Sequence, residues 1–327
     1  MKVLVISNAA LRNDNGFGNT FRNIFCDIDG VEIASVYCRS GIPEAGLGSQ
    51  YFRTTTRMLM RNLLNSDSKP GEKVAPMTAG KGGLSRKDDG ILSSLVHFAR
   101  TRRWQVFFWV RELIWRLGRW RSPQLDEFID DFNPDMIFLP LYDCHYTNDV
   151  GIYVKMRTGK KLVVYSPDDV YTLRQWSLSP LFWIDRFIKR RKIRSVVKHA
   201  ELLYVISLQQ QKEYGRIFKL PCKILYKCGE FRGEAPVKQE IGAPMRLVYT
   251  GNVGAGRWKS LAQIGDALRE INRDGVKAQL HIYTLTPLTR TMERRLNDGT
   301  NVVLKGAVDA SQIPGIQTDA DILVHVE

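Results

Sequence analysis

The 327-residue sequence is poor in the features that mark specialised classes of protein. Its five cysteines (Cys26, Cys38, Cys144, Cys222, Cys228) are odd in number and far apart, with no C-x-x-C pair. That argues against a disulfide-stapled scaffold or a zinc module and reads as reduced thiols. The five histidines show no H-x-x-x-H spacing, so no metal site is expected. No apolar run approaches the roughly 18 residues of a membrane span. The opening Met-Lys-Val-Leu-Val-Ile-Ser is too short for a secretory leader and suits a buried strand, so the expected location is the cytoplasm, in solution or on a membrane surface. Acidic residues are also scarce, with 34 Asp and Glu against 48 Lys and Arg.

The rest of the composition is that of a folded protein. Apolar residues at 44% and charged residues at 25% exclude wholesale disorder, and the length predicts two domains at roughly 150 residues each. The positive excess is local. Residues 51–121 hold 15 Lys and Arg against 5 Asp and Glu, and residues 185–198 hold 7 against 1, which leaves the remainder near neutral.

Continuous apolar runs predict strands at 2–7, 31–38, 136–141, 161–166, 202–206 and 223–226, with helical patterns between several of them. Pro236 and Pro244 bracket a candidate linker. The alternation then restarts: strand 246–250, helix 258–273, strand 278–283, helix 287–297, strand 301–305, a short helix near 310–317 and strand 321–326. Alternating strands and helices make doubly wound parallel sheets the expected architecture. Residues 65–90, rich in Gly, Ser, Lys and Asp, read as a mobile loop within a basic insertion at about 50–121. Because a doubly wound domain normally continues past four strands, the sequence reads as a C-terminally truncated version of something longer.

Two glycine loops are candidate phosphate sites. The first carries Gly16 and Gly18 but fits a dinucleotide fingerprint poorly: eight residues separate it from its strand, Phe21 stands where a third glycine is needed, and the second strand ends in Tyr37, Cys38 and Arg39 without an acidic ribose ligand. A nicotinamide cofactor is therefore disfavoured, and a turn that merely needs glycine is an equal reading. The second, Thr250 to Ser260, follows its strand directly and opens a helix. Gly251, Gly254 and Gly256 expose backbone N–H groups, and Arg257 and Lys259 add cations for a diphosphate. It lacks the G-x-x-x-x-G-K-[ST] of a nucleoside-triphosphate hydrolase.

The string Met245 to Val253, Lys259, Ala267-Leu268, Val303 to Val308 and Ala320 to Val324 resembles the donor domain of retaining GT-B glycosyltransferases of family 4. Upstream, Asn133-Pro134-Asp135-Met136-Ile137, Ala200 to Ser207 and Gly229 resemble that family's N-terminal half. The resemblance implies two Rossmann-like domains facing a cleft, here 1–238 on the acceptor side and an incomplete donor domain at 239–327. It also implies transfer from a UDP- or GDP-sugar with retention, requiring no metal or other cofactor. By position, Lys259 would bind the diphosphate in a loop containing Gly251, Asn252 and Gly254, and the backbone around Gly306 and Val308 would meet the base. Where the family has Arg, this chain has Asn252, a charge that Arg257 could supply. The family's His-Asp is replaced by Ser166-Pro167-Asp168-Asp169, and its E-x7-E motif would begin at or beyond Glu327. Asp168 and Asp169 are candidates for orienting an acceptor hydroxyl, with a helix N-cap pair as the alternative.

Residues 100–121 hold seven Arg and four of the seven Trp. A helical wheel puts Arg102, Glu112, Arg116 and Arg119 on one stripe with Trp109, and Trp104, Phe108 and Trp115 on a wide apolar face interrupted by Arg111. Arg and Trp together suit the headgroup region of an anionic membrane, and residues 181–194 look similar, which fits a glycan or lipid-linked acceptor. The same face packed inward, with only the arginines wet, remains the alternative. Two rival functions stay open: a nucleic-acid binder, although no RNA-binding, KH or zinc-finger signature is present, and a non-catalytic nucleotide-binding remnant of the fold.

Overall fold

The computed structural model describes residues 1–12, 16–25, 28–77, 105–142, 144–172, 175–226, 238, 240–254 and 256–326. The chain forms two compact units, Met1–Gly229 and Glu230–Glu327.

The first unit is built on an eight-stranded sheet in the order β4-β3-β2-β1-β5-β6-β7-β8. The strands are β1 Lys2–Ser7, β2 Glu32–Tyr37, β3 Gln50–Arg53, β4 Glu72–Lys73, β5 Met136–Pro140, β6 Lys161–Ser166, β7 Leu202–Val205 and β8 Cys222–Ile224. All neighbours pair parallel except the short edge pair β3–β4. Strand alternation splits β1 between two cores: Leu4 and Ile6 enter one cluster, Val3 and Val5 the other, and Ile137 and Phe138 of β5 divide likewise. A continuous apolar run is what a strand covered on both faces requires.

The helices of this unit are α1 Gly16–Phe25, α2 Thr56–Leu64, α3 Gln105–Leu117, α4 Pro123–Phe132, α5 His145–Thr158, α6 Pro180–Lys198 and α7 Leu208–Phe218. Local sequence explains α4 fully. Ser122 caps it by accepting from Leu125 N at 3.3 Å, Pro123 occupies its first turn, Leu125, Phe128, Ile129 and Phe132 form its buried stripe, and Asn133 ends it in the left-handed region.

The second unit carries β9 Met245–Thr250, α8 Arg257–Ile271, β10 Ala278–Tyr283, α9 Arg290–Leu296, β11 Val302–Gly306, α10 Ile313–Thr318 and β12 Ile322–Leu323. Its four parallel strands run in the order β11-β10-β9-β12.

An acidic residue at the start of a strand recurs as a fastening. Asp135 accepts from Lys2 N at 2.7 Å, Glu201 from Leu162 N at 2.6 Å, and Asp321 from Arg246 N at 2.7 Å. Each carboxylate satisfies an N–H of the first or second residue of the neighbouring strand and so helps set its register.

The expected mobile insertion needs correction. Within 50–77, β3 pairs with β2, Leu59 of α2 is fully buried, and Met77 bridges Glu44, because Phe52 and Leu59 supply the apolar anchors that a loop would lack. Residues 78–104, which include the second half of the predicted loop, lie outside the described residues.

Candidate functional site

In both sheets the strand order reverses beside the first strand of the unit, between β1 and β5 and between β9 and β12. Ligands of doubly wound folds bind at the carboxyl ends of the strands at that reversal.

In the second unit this edge is formed by the loop after β9. Asn252 organises it: its Oδ1 accepts from Gly254 N at 2.6 Å and from Thr286 Oγ1 at 2.9 Å, and its carbonyl accepts from Tyr249 Oη at 2.8 Å. Asn252 is thus a loop-shaping side chain. Gly256, at φ 92°, turns the chain into α8, and no side chain caps the helix. The first N–H groups of α8 turn back on the loop, Arg257 N donating to the Gly254 carbonyl at 3.2 Å, Trp258 N to that of Val253 at 3.1 Å and Lys259 N to that of Gly256 at 2.9 Å, so the α8 N-terminus presents the positive end of the helix dipole. Arg257 and Lys259 lie in this first turn and make no ion pair among the described residues. Gly306, at φ 76°, ends β11 with its carbonyl accepting from Thr284 N at 2.9 Å, and Val308 follows on the same edge. The structure thus brings Gly251, Asn252, Gly254, Arg257, Lys259, Gly306 and Val308 to one sheet edge. Glu327 lies outside the described residues.

The corresponding edge of the first unit is packed with aromatic side chains. Asn8, directly after β1, accepts from Tyr146 Oη at 2.7 Å in a buried contact. Trp115 stacks on Tyr146 with centroids 4.5 Å apart, and Phe17 meets Tyr142 edge-on at 5.6 Å. Tyr142 Oη and Asn148 Oδ1 are buried without a hydrogen-bond partner among the described residues. Burial pushes the Tyr142 and Tyr146 hydroxyls and the Cys38 and Cys144 thiols above their ordinary pKa values, so all four are neutral at pH 7. Sequence reading missed Asn8, Tyr142, Tyr146 and Asn148. The one signal was a polar residue, Asn8, directly after a fully apolar strand.

The first glycine loop is shorter than expected because α1 already begins at Gly16. Gly18 lies in its first turn against the Arg12 backbone, where a Cβ would collide, so its need for glycine is steric. Gly16 is open to solvent.

The two carboxylates after β6 separate in role. Asp169 accepts from Tyr171 N at 3.2 Å, Thr172 N at 2.8 Å, Tyr214 Oη at 2.9 Å and Thr172 Oγ1. Burial pushes its carboxyl up, but these bonds outweigh burial and hold it below the usual carboxylate range. Asp169 therefore braces the loop, and both aspartates are exposed.

The helical-wheel reading of α3 is corrected in its orientation. Trp115 is 2% exposed and donates to Thr56 Oγ1 at 3.0 Å, so it is unavailable to any outside surface. Arg111 lies over the Tyr146 ring at 5.1 Å and over Phe108 at 5.2 Å, and Trp109 donates to Asp185 Oδ1 at 3.2 Å. Glu112, expected on the wet stripe, accepts from His145 N at 3.1 Å at the start of α5. Burial pushes its carboxyl up to about 7 against that bond and the Arg111 charge. The α5 N-terminus attracts the carboxylate and the aromatic partners attract Trp115, which turns this face inward. Phe108, Arg116 and Arg119 remain exposed, and Arg102 and Trp104 lie outside the described residues.

No helix among the described residues is long and apolar enough to cross a membrane. No protein-family profile matches the chain, and no curated protein sequence does. Solved structures do match. Sucrose-phosphate synthase from Thermosynechococcus elongatus aligns with a TM-score of 0.54 at 11% identity over 98% of this chain and 74% of its own. Anabaena HepE in complex with UDP and glucose aligns at 0.53 and 13% over 100% and 74%, and the lipopolysaccharide outer core galactosyltransferase WaaB at 0.51 and 11% over 99% and 73%. Identity this low speaks for fold alone: two Rossmann-like parallel-sheet units, the GT-B fold.

Proposed function

We propose that the chain is a GT-B glycosyltransferase of the family 4 kind, transferring a sugar with retention from a UDP- or GDP-sugar to a glycan or lipid-linked acceptor in polysaccharide or glycolipid assembly. A lipid-linked acceptor would be met at the cytoplasmic face of a membrane, with the enzyme bound peripherally. The observation that carries the reading is the α8 N-terminus, where the positive end of the helix meets Arg257 and Lys259, which make no ion pair among the described residues, at the strand reversal of the second unit.

The chemistry asks for such a site. Breaking the bond between sugar and diphosphate gathers negative charge on the leaving group while the sugar gains oxocarbenium character. Groups fixed where that charge develops stabilise the transition state more than the ground state. Arg257, Lys259 and the positive end of the α8 dipole take that role without metal or cofactor, and the turn at Gly306 and Val308 receives the base. The HepE structure holds UDP and glucose, which supports a nucleotide-sugar donor here. On the acceptor side, Asp168 accepts the hydroxyl and Asp169 holds its loop.

Calorimetric titration of the chain with UDP and GDP tests this reading. Saturable binding of one of them, weakened in Lys259→Ala, is expected; NADPH or a single-stranded oligonucleotide binding in their place would overturn it.

A further inference from the structure

We propose that the outward faces of α3 and α6 form one docking surface for an anionic lipid bilayer. Its purpose rests on the glycosyltransferase reading with a lipid-linked acceptor; its geometry does not.

The inward turn of Glu112 and Trp115 leaves Val110, Leu113 and Leu117, spaced i, i+3 and i+7, outward on α3. On α6 the buried side is Asp185, Ile193, Val196 and Val197, so Leu181, Ile184, Phe187 and Ile188 face out. Trp176 and Leu178 extend that face just ahead of the helix, and these nine side chains are between 37% and 86% exposed. Exposed apolar side chains grouped in this way mark an interaction site. The Trp109–Asp185 hydrogen bond joins the two helices, so their outward stripes belong to one surface.

The cations of the two helices are sorted by side. Those on the flanks and the packed side of α6 are engaged: Arg186 and Arg190 donate to the carbonyl of Thr172, Arg194 donates to Tyr171 Oη, and Lys189 and Lys192 pair with Asp185 and Asp149. Arg191 and Lys198, on the outward stripe of α6, and the exposed Arg116 and Arg119 at the end of α3 make no ion pair among the described residues. Apolar side chains ringed by unpaired cations complement an acyl boundary beneath anionic headgroups. A second copy would bring the same positive charge against it, in a chain whose net charge is already +14, so self-association is disfavoured.

The test is flotation of the full chain with vesicles of phosphatidylcholine alone and of phosphatidylcholine with phosphatidylglycerol. Binding is expected to rise at least tenfold with phosphatidylglycerol and to fall with salt. The triple variant Leu113→Ser, Leu117→Ser, Phe187→Ser should lose it. The triple variant Arg116→Gln, Arg119→Gln, Arg191→Gln should drop to the level seen with phosphatidylcholine. All six positions are solvent-exposed, so circular dichroism and UDP titration should match the parent. Equal binding to both vesicle types, binding to neither, or concentration-dependent dimers without vesicle binding would overturn the proposal. Vesicle binding as expected in a chain that binds no nucleotide would uphold the surface and sink only the glycosyltransferase reading.

Discussion

The carboxyl edges of the two sheets share a strand reversal and little else. The edge of the first unit is closed by Asn8, Tyr142, Tyr146 and Trp115, with the Tyr142 and Tyr146 hydroxyls and the Cys38 and Cys144 thiols held neutral. The edge of the second is glycine-lined and cationic, with Arg257 and Lys259 making no ion pair among the described residues. The same topology thus offers neutral hydrogen-bonding groups in one unit and anion-binding groups in the other. A reaction that joins an uncharged hydroxyl to a sugar leaving a diphosphate needs one of each. Topology says where a ligand sits, and the side chains at that edge say which ligand.

The largest expected effect comes from opening the closed edge. Trp115→Ala removes a buried ring stacked on Tyr146 and should lower the unfolding free energy by about 3–5 kcal/mol in urea, with UDP affinity unchanged in the folded protein. If the variant instead lost UDP affinity at full stability, the division between the edges would fail.

Next is Glu112. Its carboxyl keeps a proton up to about pH 7 when folded and only to about 4.5 when unfolded, so between those values the folded state binds more protons and stability falls as pH rises. The fall should approach about 3 kcal/mol and vanish in Glu112→Gln, as read from urea midpoints at pH 4.5 and 7.5. A flat profile in the parent would show the carboxylate to be charged at the start of α5.

At the cationic edge, Lys259→Ala and Arg257→Ala should each weaken nucleoside-diphosphate binding by about 1–3 kcal/mol and change stability by less than about 0.5 kcal/mol. The smallest effect belongs to Asp169→Asn, about 1 kcal/mol of stability from a weakened loop brace, with transfer activity largely retained. Asp168→Asn should do the opposite, reducing turnover at unchanged stability.

Much of this could be read from the sequence, for physical reasons. Strands covered on both faces must be continuously apolar, so β1, β5 and β6 stand out. The acid-led motifs at Asp135, Glu201 and Asp321 were legible as family resemblance, and the hydrogen bonds show why such a residue belongs there. The second glycine loop was legible because its groups lie within ten residues. The first edge was not, since Asn8 and Tyr146 meet across 138 positions and no local pattern announces that. Strands β3 and β4 are four and two residues long and carry too little periodicity to detect. The rotation of α3 escaped because a helical wheel weighs hydrophobicity, whereas Glu112 is drawn inward by a helix N-terminus formed more than thirty residues later.

The most direct test of the anion-binding edge is a calorimetric titration of the chain and of Lys259→Ala with UDP and GDP side by side. The account predicts saturable binding of one nucleotide by the parent and an affinity loss of about tenfold or more in the variant. Equal affinity in both proteins, or none in the parent, would contradict it.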